Sequence, residues 1–232
     1  MTTGAVDWSM FGGSRDQAPV GEGLRERKKR EMRRRLSETA TEMFLERGFD
    51  AVRVSEIAAA CGVSEKTVFN YFPTKEALVL DRWESTLAAL PALADPTVPP
   101  VEAALSILSG ELAAVCSWLA AQEDTDLAAD MFRRFGALLR STPSLVAHQR
   151  ATTERLIAAA AEALARRTGR APLDPEPQIA ATSLIGLWAV QFRSIGMRLR
   201  TARTPERLRR AVTADVHRAA RLVGRGLDTF DT

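Results

Sequence analysis

The segment between Val54 and Phe72 constrains the fold of this chain most strongly. It divides into two short helical stretches, Val54–Cys61 and Glu65–Phe72, separated by Gly62-Val63-Ser64. Glycine allows a tight turn, and Ser64 is a favourable N-cap for the second helix. Small and apolar residues on the two stretches can face each other across the turn: Ile57, Ala58, Cys61, Val68 and Phe72. This pattern predicts a helix-turn-helix, although any hairpin of two short helices can produce a similar one.

Two longer helices are predicted on either side of this segment. The first runs from about Arg25 to Arg47, and its apolar residues recur every four positions: Met32, Leu36, Ala40 and Phe44. Gly48 follows it, as a left-handed C-cap would. On the other side, Thr74 is the expected cap of a helix that runs from Lys75 to about Leu90.

The rest of the chain is predicted to be helical, without strands. Four prolines between residues 91 and 100 interrupt the pattern and separate two regions. Further helices are expected at about 101–121, 127–140, 144–168, 177–201 and 205–228. Residues 1–23, rich in glycine and small polar residues, are interpreted as a flexible tail. The sequence therefore predicts an all-α fold of about nine helices.

Composition and cysteine usage narrow the compartment. No apolar stretch reaches the roughly 18 residues that a membrane span needs, and no secretory signal pattern begins the chain. Cys61 and Cys116 are far apart and have no metal-ligand spacing. We therefore expect a cytoplasmic protein with no disulfide, no metal, no cofactor and no membrane partner.

Basic residues are concentrated near the start of the first long helix. Eight lysines and arginines and two glutamates lie between Arg25 and Arg35, whereas the net charge of the whole chain is only +3. Such a cluster attracts polyanions, including nucleic acids. The alternative is an ordinary solvated helix face.

The second helix of the helix-turn-helix carries polar residues suited to DNA. Its predicted outward-facing residues are Lys66, Thr67, Asn70 and Tyr71. Lysine can donate to O6 and N7 of guanine, and a helix of this length fits a major groove. These residues make a pure scaffold the less favoured hypothesis.

Two stretches, Thr41–Asp50 and Val54–Leu78, contain in order a glycine stop, the helix-turn-helix and a Thr-Lys-Glu start of the next helix. Over about residues 32–80 this arrangement resembles the DNA-binding domain of TetR/AcrR transcriptional regulators. The resemblance implies a homodimer on a near-palindromic double-stranded operator, usually acting as a repressor. It also implies release when a small molecule enters the C-terminal domain. The implied domains are 24–73 for DNA binding and 74–232 for ligand binding and dimerisation.

The resemblance also assigns roles to individual residues. Lys66 and Thr67 match positions that reach base edges, and Tyr71 and Lys75 match positions that contact phosphate. Phe69 replaces a common tyrosine, which removes a hydroxyl contact. Arg53 replaces a common threonine or serine cap and brings a charge in its place. The predicted DNA-binding residues are Arg53, Ser64, Glu65, Lys66, Thr67, Asn70, Tyr71 and Lys75. Glu65 either accepts from a cytosine amino group or stabilises the helix N-terminus.

The C-terminal half offers candidates for a small-molecule pocket, which is typically apolar with a few polar groups. The candidates are Trp118, Phe132, Phe135, Trp188, Gln191 and Phe192. For each aromatic residue, ordinary core packing is the alternative. His148 and His217 have no metal-ligand partners at suitable spacing, so we expect them at the surface or at an interface.

The last two helices would form the dimer interface if the resemblance holds. The apolar residues proposed for that interface are Ile179, Leu184, Leu187, Val190 and Ile195 on one helix, and Leu208, Val212, Val216, Ala219 and Val223 on the other. The small residues Gly186, Ala189 and Gly196 would permit close packing of the helices. A symmetric pair would make a four-helix bundle.

Two other functions are alternatives to a ligand-released repressor. A protein of this type could act in chromosome organisation rather than at one promoter, which the number of genomic sites it occupies would reveal. An enzyme is disfavoured because the sequence contains no nucleophile–base pair, no paired carboxylates in an apolar setting and no phosphate-binding glycine loop. The ligand, the target gene and the sign of regulation stay open at this point.

Overall fold

The computed structural model describes residues 23–80, 83–202 and 204–227, and every regular element in them is helical. The ten helices are α1 Leu24–Arg47, α2 Val54–Ala60, α3 Glu65–Tyr71, α4 Ala77–Leu80, α5 Trp83–Ala89, α6 Pro100–Ala120, α7 Thr125–Ser141, α8 Pro143–Thr168, α9 Pro175–Arg198 and α10 Pro205–Leu227. A 3-10 segment, Leu90–Ala94, follows α5. The predicted all-α fold is confirmed.

One predicted helix differs from the structure. Lys75–Leu90 was expected as a single helix, whereas in the structure Lys75 and Glu76 form a turn, and the helical segments α4 and α5 begin only after it. Residues 81 and 82, between these two helices, lie outside the described residues. Because the description stops at Leu80 and resumes at Trp83, the two segments are numbered separately, and the described residues contain ten helical segments where about nine helices were expected. The tail predicted for residues 1–23 lies outside the described residues apart from Gly23.

The chain forms two compact units. The first comprises residues 1–85 and 130–149, and the second comprises residues 86–129 and 150–232. Three helices, α5, α7 and α8, contribute residues to both units. The boundary predicted at residue 73 divides the chain by function rather than by compactness, and it stays a prediction.

The core of the first unit is built around α1. Leu36, Ala40 and Phe44 lie on one face of this helix and are completely buried, as their four-residue spacing predicts. The Ser37 hydroxyl donates to the Leu78 carbonyl over 2.8 Å, which fastens α1 to α4. Gly48 ends α1 with a positive φ of 86°, a conformation that favours glycine.

The core of the second unit lies where α6, α9 and α10 pack together. Helix α6 is long and apolar enough to cross a membrane by length and composition, with a mean hydropathy of 1.6 over its best window. The expectation that no apolar stretch reaches this length was therefore wrong, because the few charged residues of α6 leave it apolar on average. In the structure α6 instead buries one face in this core, including Leu108, Leu112 and Val115.

Most of the apolar residues of α9 and α10 that were predicted to form a dimer interface are not available for it. Six of their apolar residues are already buried within the second unit of one chain: Leu184, Leu187, Ile195, Leu208, Val212 and Val216. They fill the core that α9 and α10 form with α6. An amphipathic pattern identifies an apolar face, but it does not distinguish a neighbour in the same chain from a second copy.

Candidate DNA-binding surface and ligand site

The turn between α2 and α3 has the geometry that its sequence predicts. Gly62 has a positive φ of 66°, and the Val63 amide donates to the Ala58 carbonyl over 3.0 Å. Across the turn, Ile57 of α2 and Val68 of α3 are almost completely buried. The two helices therefore share a small core that fixes the orientation of α3 on the first unit.

Two hydroxyl groups stabilise the start of α3. Ser64 Oγ accepts from the Thr67 amide over 3.1 Å, which caps the helix as predicted. The hydroxyl groups of Ser64 and Thr67 also lie 2.8 Å apart and share a hydrogen bond. Thr67 would have to exchange this bond, or use its second lone pair, to contact a base.

The outer face of α3 is open to solvent. Glu65, Lys66 and Asn70 are exposed, whereas Thr67 and Tyr71 are half-buried. Phe69 also lies on this outer face, with 44% of its surface exposed, although a large aromatic side chain is more often buried. The exposed side chains at i, i+1, i+4 and i+5 form one continuous strip, as a helix that reads a groove requires.

Arg33 anchors the other end of α3 to α1. Its Nη1 donates to the Tyr71 carbonyl over 2.8 Å, and its guanidinium lies 4.6 Å from the centre of the Phe72 ring. The carbonyl groups at a helix C-terminus have no partner within the helix, so a cationic donor stabilises them. Sequence reasoning did not identify this contact, because it joins residues 38 positions apart.

Arg53, predicted to contact DNA, precedes α2 and is exposed. Its side chain makes no capping hydrogen bond. Instead, the Arg53 amide donates to Oε2 of Glu56 over 2.7 Å, and this hydrogen bond holds the pKa of the Glu56 carboxyl below its usual range. Arg47 pairs with the same carboxylate. Glu56 therefore accepts from the backbone amide that precedes α2, which is the role of the glutamate in a capping box.

Lys75, predicted to contact phosphate, is engaged within the first unit. Its Nζ donates to the Phe49 carbonyl over 2.6 Å and lies over the Phe49 and Phe44 rings, 4.4 and 5.5 Å from their centres. Burial lowers the pKa of this ammonium. One donor is thus occupied, and a phosphate contact can use only the remaining two.

The ligand candidates fall in different units. Phe132 and Phe135 belong to the first unit, where both are buried. The other four belong to the second unit; Trp118, Trp188 and Gln191 are buried there, and Phe192 is half-buried. A ligand role for all six stays a prediction.

A polar cluster around Glu111 lies in the second unit and was missed by sequence reasoning. Trp188 Nε1 donates to the Glu111 carboxylate over 3.1 and 3.2 Å, and Thr86 Oγ1 donates to it over 2.7 Å. Nearby along α9, Gln191 Nε2 donates to the Leu108 carbonyl over 3.2 Å. The only signal in the sequence was an acidic residue in the middle of the apolar helix α6.

A second cluster fastens α9 to α10. The Asp215 carboxylate accepts from Ser194 over 2.7 Å, from two nitrogens of Arg198 over 2.9 Å each, and from Arg218 over 2.6 Å. These donors, Arg198 first, hold the pKa of the Asp215 carboxyl far below its usual range. The cluster uses every strong acceptor position of Asp215, so its role is structural.

Among the described residues, all regular elements are helical, and the capped α3 exposes Lys66, Phe69 and Asn70 beside a tight glycine turn. This is the architecture of a helix-turn-helix protein. Comparison with known proteins gives the family. The family "Bacterial regulatory proteins, tetR family" matches residues 36–81, and the "MftR C-terminal domain" matches residues 130–214. The chain belongs to the TetR family of transcriptional regulators.

Individual relatives carry the same kind of name. The chain is 32% identical to the HTH-type transcriptional regulator TcmR of Streptomyces glaucescens over 155 residues, 65% of this chain and 66% of that protein. It is 26% identical to a Mycobacterium tuberculosis protein named as the mycofactocin biosynthesis transcriptional regulator MftR, over 66% of this chain and 73% of that one. A solved TetR-like regulator from Rhodococcus sp. RHA1 is 21% identical over 85% of this chain and 96% of its own, with a TM-score of 0.44. This TM-score indicates only a weak structural similarity.

Proposed function

We propose that this regulator represses transcription as a homodimer on a palindromic operator, with α3 in the major groove, and leaves the DNA when a small molecule binds. The outer strip of α3 carries the proposal. Lys66 and Asn70 are exposed there, while Val68 on the opposite side is buried. Lysine pairs with guanine and asparagine with adenine in the major groove, so the strip offers two base-specific contacts.

The remaining predicted residues take supporting roles in this proposal. Ser64 and Glu65 lie at the helix N-terminus, where amides and the helix dipole favour a phosphate beside Ser64. Arg53 and Lys75 supply charge for backbone phosphates, and the hydroxyl groups of Thr67 and Tyr71 supply further donors. The functional division is accordingly residues 24–73 for DNA binding and 74–232 for regulation.

A homodimer through the outer side of α9 fits the exposed apolar surface of the second unit. Ile179 and Met197 have 62% and 63% of their surface exposed. Together with exposed Gly186 and half-buried Val190 they lie on one side of α9, at spacings of seven, four and seven residues. A two-fold axis would place this strip against its own copy, which is the usual arrangement of a symmetric dimer.

The ligand site is proposed in the second unit, around Trp118, Trp188, Gln191 and Phe192. These side chains combine apolar area with the donors and acceptors of an amide and an indole, as small-molecule sites do. The Glu111 carboxylate beside Trp188 adds a negative charge to this set. The chain is proposed to be a non-enzymatic cytoplasmic protein, in keeping with relatives that are named as regulators.

Release by ligand requires a change that separates the two α3 helices from successive major grooves. In a dimer they must lie about 34–36 Å apart, or a multiple of it. A ligand that favours another separation must bind the DNA-free state more tightly, and operator DNA must weaken ligand binding by the same factor.

The test begins with purified protein and a pool of random-sequence duplexes. Selection should yield a two-fold symmetric consensus, and footprinting should show two half-sites in successive major grooves. Lys66→Ala should relax the consensus at one position of each half-site, whereas Arg166→Ala, on the exposed surface of α8, should leave it unchanged. Recovery of no consensus, or of the same consensus with Lys66→Ala, would contradict the proposal.

A further inference from the structure

Helix α1 begins well before the DNA-binding domain of its family. The family match starts at Leu36, whereas the helix starts at Leu24, so twelve residues form an extension of α1. At about 1.5 Å per residue this α1 extension adds roughly 18 Å of helix. Sequence reasoning treated these residues as part of one basic cluster and gave them no position relative to α3.

The N-terminal half of the α1 extension is not held by the core of the first unit. Residues 23–29 are all exposed, and the first buried residue of the helix is Leu36. A helix that is polar on all sides is stable on its own only when side-chain pairs or a partner support it. Like charges at i, i+3 and i+4, such as Arg25 with Lys28 and Lys29, oppose it instead.

The excess positive charge of the chain comes from this extension. Residues 24–35 contain eight basic and two acidic side chains, a net +6, and because the whole chain is +3 the remaining residues carry a net −3. Arg34 is paired with Glu31 and Glu38. Within the described residues, Arg25, Arg27, Lys28 and Lys29 are exposed and have no ion-pair partner.

Arg33 fixes the position of the extension relative to α3. Because its Nη1 binds the Tyr71 carbonyl and its guanidinium lies over Phe72, α1 passes the C-terminal end of α3 at this residue. The exposed basic residues Arg25, Lys28 and Lys29 lie about one to two helical turns further toward the N-terminus of α1. The extension therefore begins beside the C-terminal end of α3, the helix that is proposed to lie in the major groove, and continues away from it.

We propose that the α1 extension is a second DNA-binding surface, which binds the sugar-phosphate backbone beside each half-site, outside the base pairs that α3 reads. This inference rests on the proposed DNA binding. The phosphates that border a groove are negatively charged and would pair with the exposed side chains of this extension. These side chains are Arg25, Arg27, Lys28 and Lys29. Contacts of this kind add affinity and salt dependence without adding base preference.

The experiment uses the duplex obtained by selection, with its flanks removed one base pair at a time from both ends. The variant is Arg25→Gln/Lys28→Gln/Lys29→Gln. The matched control, Arg150→Gln/Arg166→Gln/Arg200→Gln, removes the same charge from exposed positions of the second unit. Affinity is measured by fluorescence anisotropy at several salt concentrations, and thermal unfolding checks that each variant is folded.

The wild type and the control should lose affinity in a step when the flanking base pairs are removed, and the triple variant should not. On the long duplex, the slope of log affinity against log salt should fall by about 0.9 for each phosphate contact the variant has lost. On the shortest duplex that retains both half-sites, all three proteins should bind equally. Lys28→Arg/Lys29→Arg should retain the wild-type step, because charge rather than shape is needed.

An identical length dependence in wild type and triple variant would overturn the inference and leave the role of α3 intact. The inference would also be overturned if the triple variant bound DNA like the wild type but no longer bound vesicles of phosphatidylglycerol. A lipid surface would then be the partner of the extension. Failure of the wild type to bind any duplex would instead overturn the proposed function itself.

Discussion

The Lys75 ammonium lies 2.6 Å from the Phe49 carbonyl oxygen and 4.4 Å from the centre of the Phe49 ring. It thus joins the loop after α1 to the turn before α4. A residue chosen from the sequence for its charge toward DNA also holds two parts of the first unit together, and the two roles predict different measurements.

Lys75→Ala should lower the free energy of unfolding by about 1–2 kcal/mol, since it removes one hydrogen bond to a charged donor and a cation–π contact. Lys66→Ala, on the exposed strip, should leave thermal unfolding unchanged within about 0.5 kcal/mol. Circular dichroism during heating measures both. A Lys75→Ala protein as stable as the wild type would mean that these contacts contribute nothing.

Lys66→Ala should weaken binding to the selected operator by about 1–3 kcal/mol and relax base preference at one position of each half-site. Binding to random duplex should change much less. A comparable loss on both duplexes would show that Lys66 contacts phosphate rather than a base, and selection with the variant protein provides an independent check.

The exposed strip on α9 predicts that a substitution at Gly186 can dissociate the dimer without unfolding the chain. Gly186 has no atom within 4 Å of the position that a Cβ would occupy. Gly186→Arg should therefore be accommodated within one chain but should prevent two strips from approaching. Sedimentation should give a monomer with native helix content.

Gly226→Arg is the matched control, because this α10 glycine is equally open. It should sediment like the wild type. A dimeric Gly186→Arg protein would move the interface away from this side of α9. The substitution Val216→Asp would be a poor test, because Val216 lies in the core of a single chain and its replacement would unfold the second unit.

Asp215→Asn should lower the stability of the second unit by about 2 kcal/mol at neutral pH, because hydrogen bonds to charged donors are weakened. The pKa of Asp215 is lowered on folding, so its contribution is complete above the unfolded-state pKa near 3.8 and decreases as the pH falls below that value. The difference between wild type and variant should therefore shrink in acid. Thermal unfolding between pH 7 and pH 3 measures it, and a constant difference would contradict the prediction.

The first unit could be predicted largely from the sequence because its signals are local. Four-residue spacing placed Leu36, Ala40 and Phe44 in the core, and a glycine at each stop marked the ends of α1 and α2. The contacts that orient α3 could not be predicted in this way. Arg33 with Tyr71 and Lys75 with Phe49 join residues that only the folded chain brings together.

The second unit was less predictable for a different reason. Apolar faces on α9 and α10 were visible, but whether they meet α6 or a second chain depends on packing that periodicity does not encode. Glu111 was missed because a carboxylate in an apolar helix is usually solvent-exposed. Its partners, Trp188 and Thr86, lie 77 and 25 positions away.

The first compact unit is interrupted along the chain, because it combines residues 1–85 with residues 130–149. Arg134 in the later segment donates to the Leu45 carbonyl over 2.8 Å, and Phe132 and Phe135 are among the largest fully buried side chains. On the ribosome, α1 to α4 emerge long before the unit that contains them can be completed. A gene truncated after residue 85, or a fusion built from that fragment, would encode α3 without residues 130–149, which complete the core of its unit.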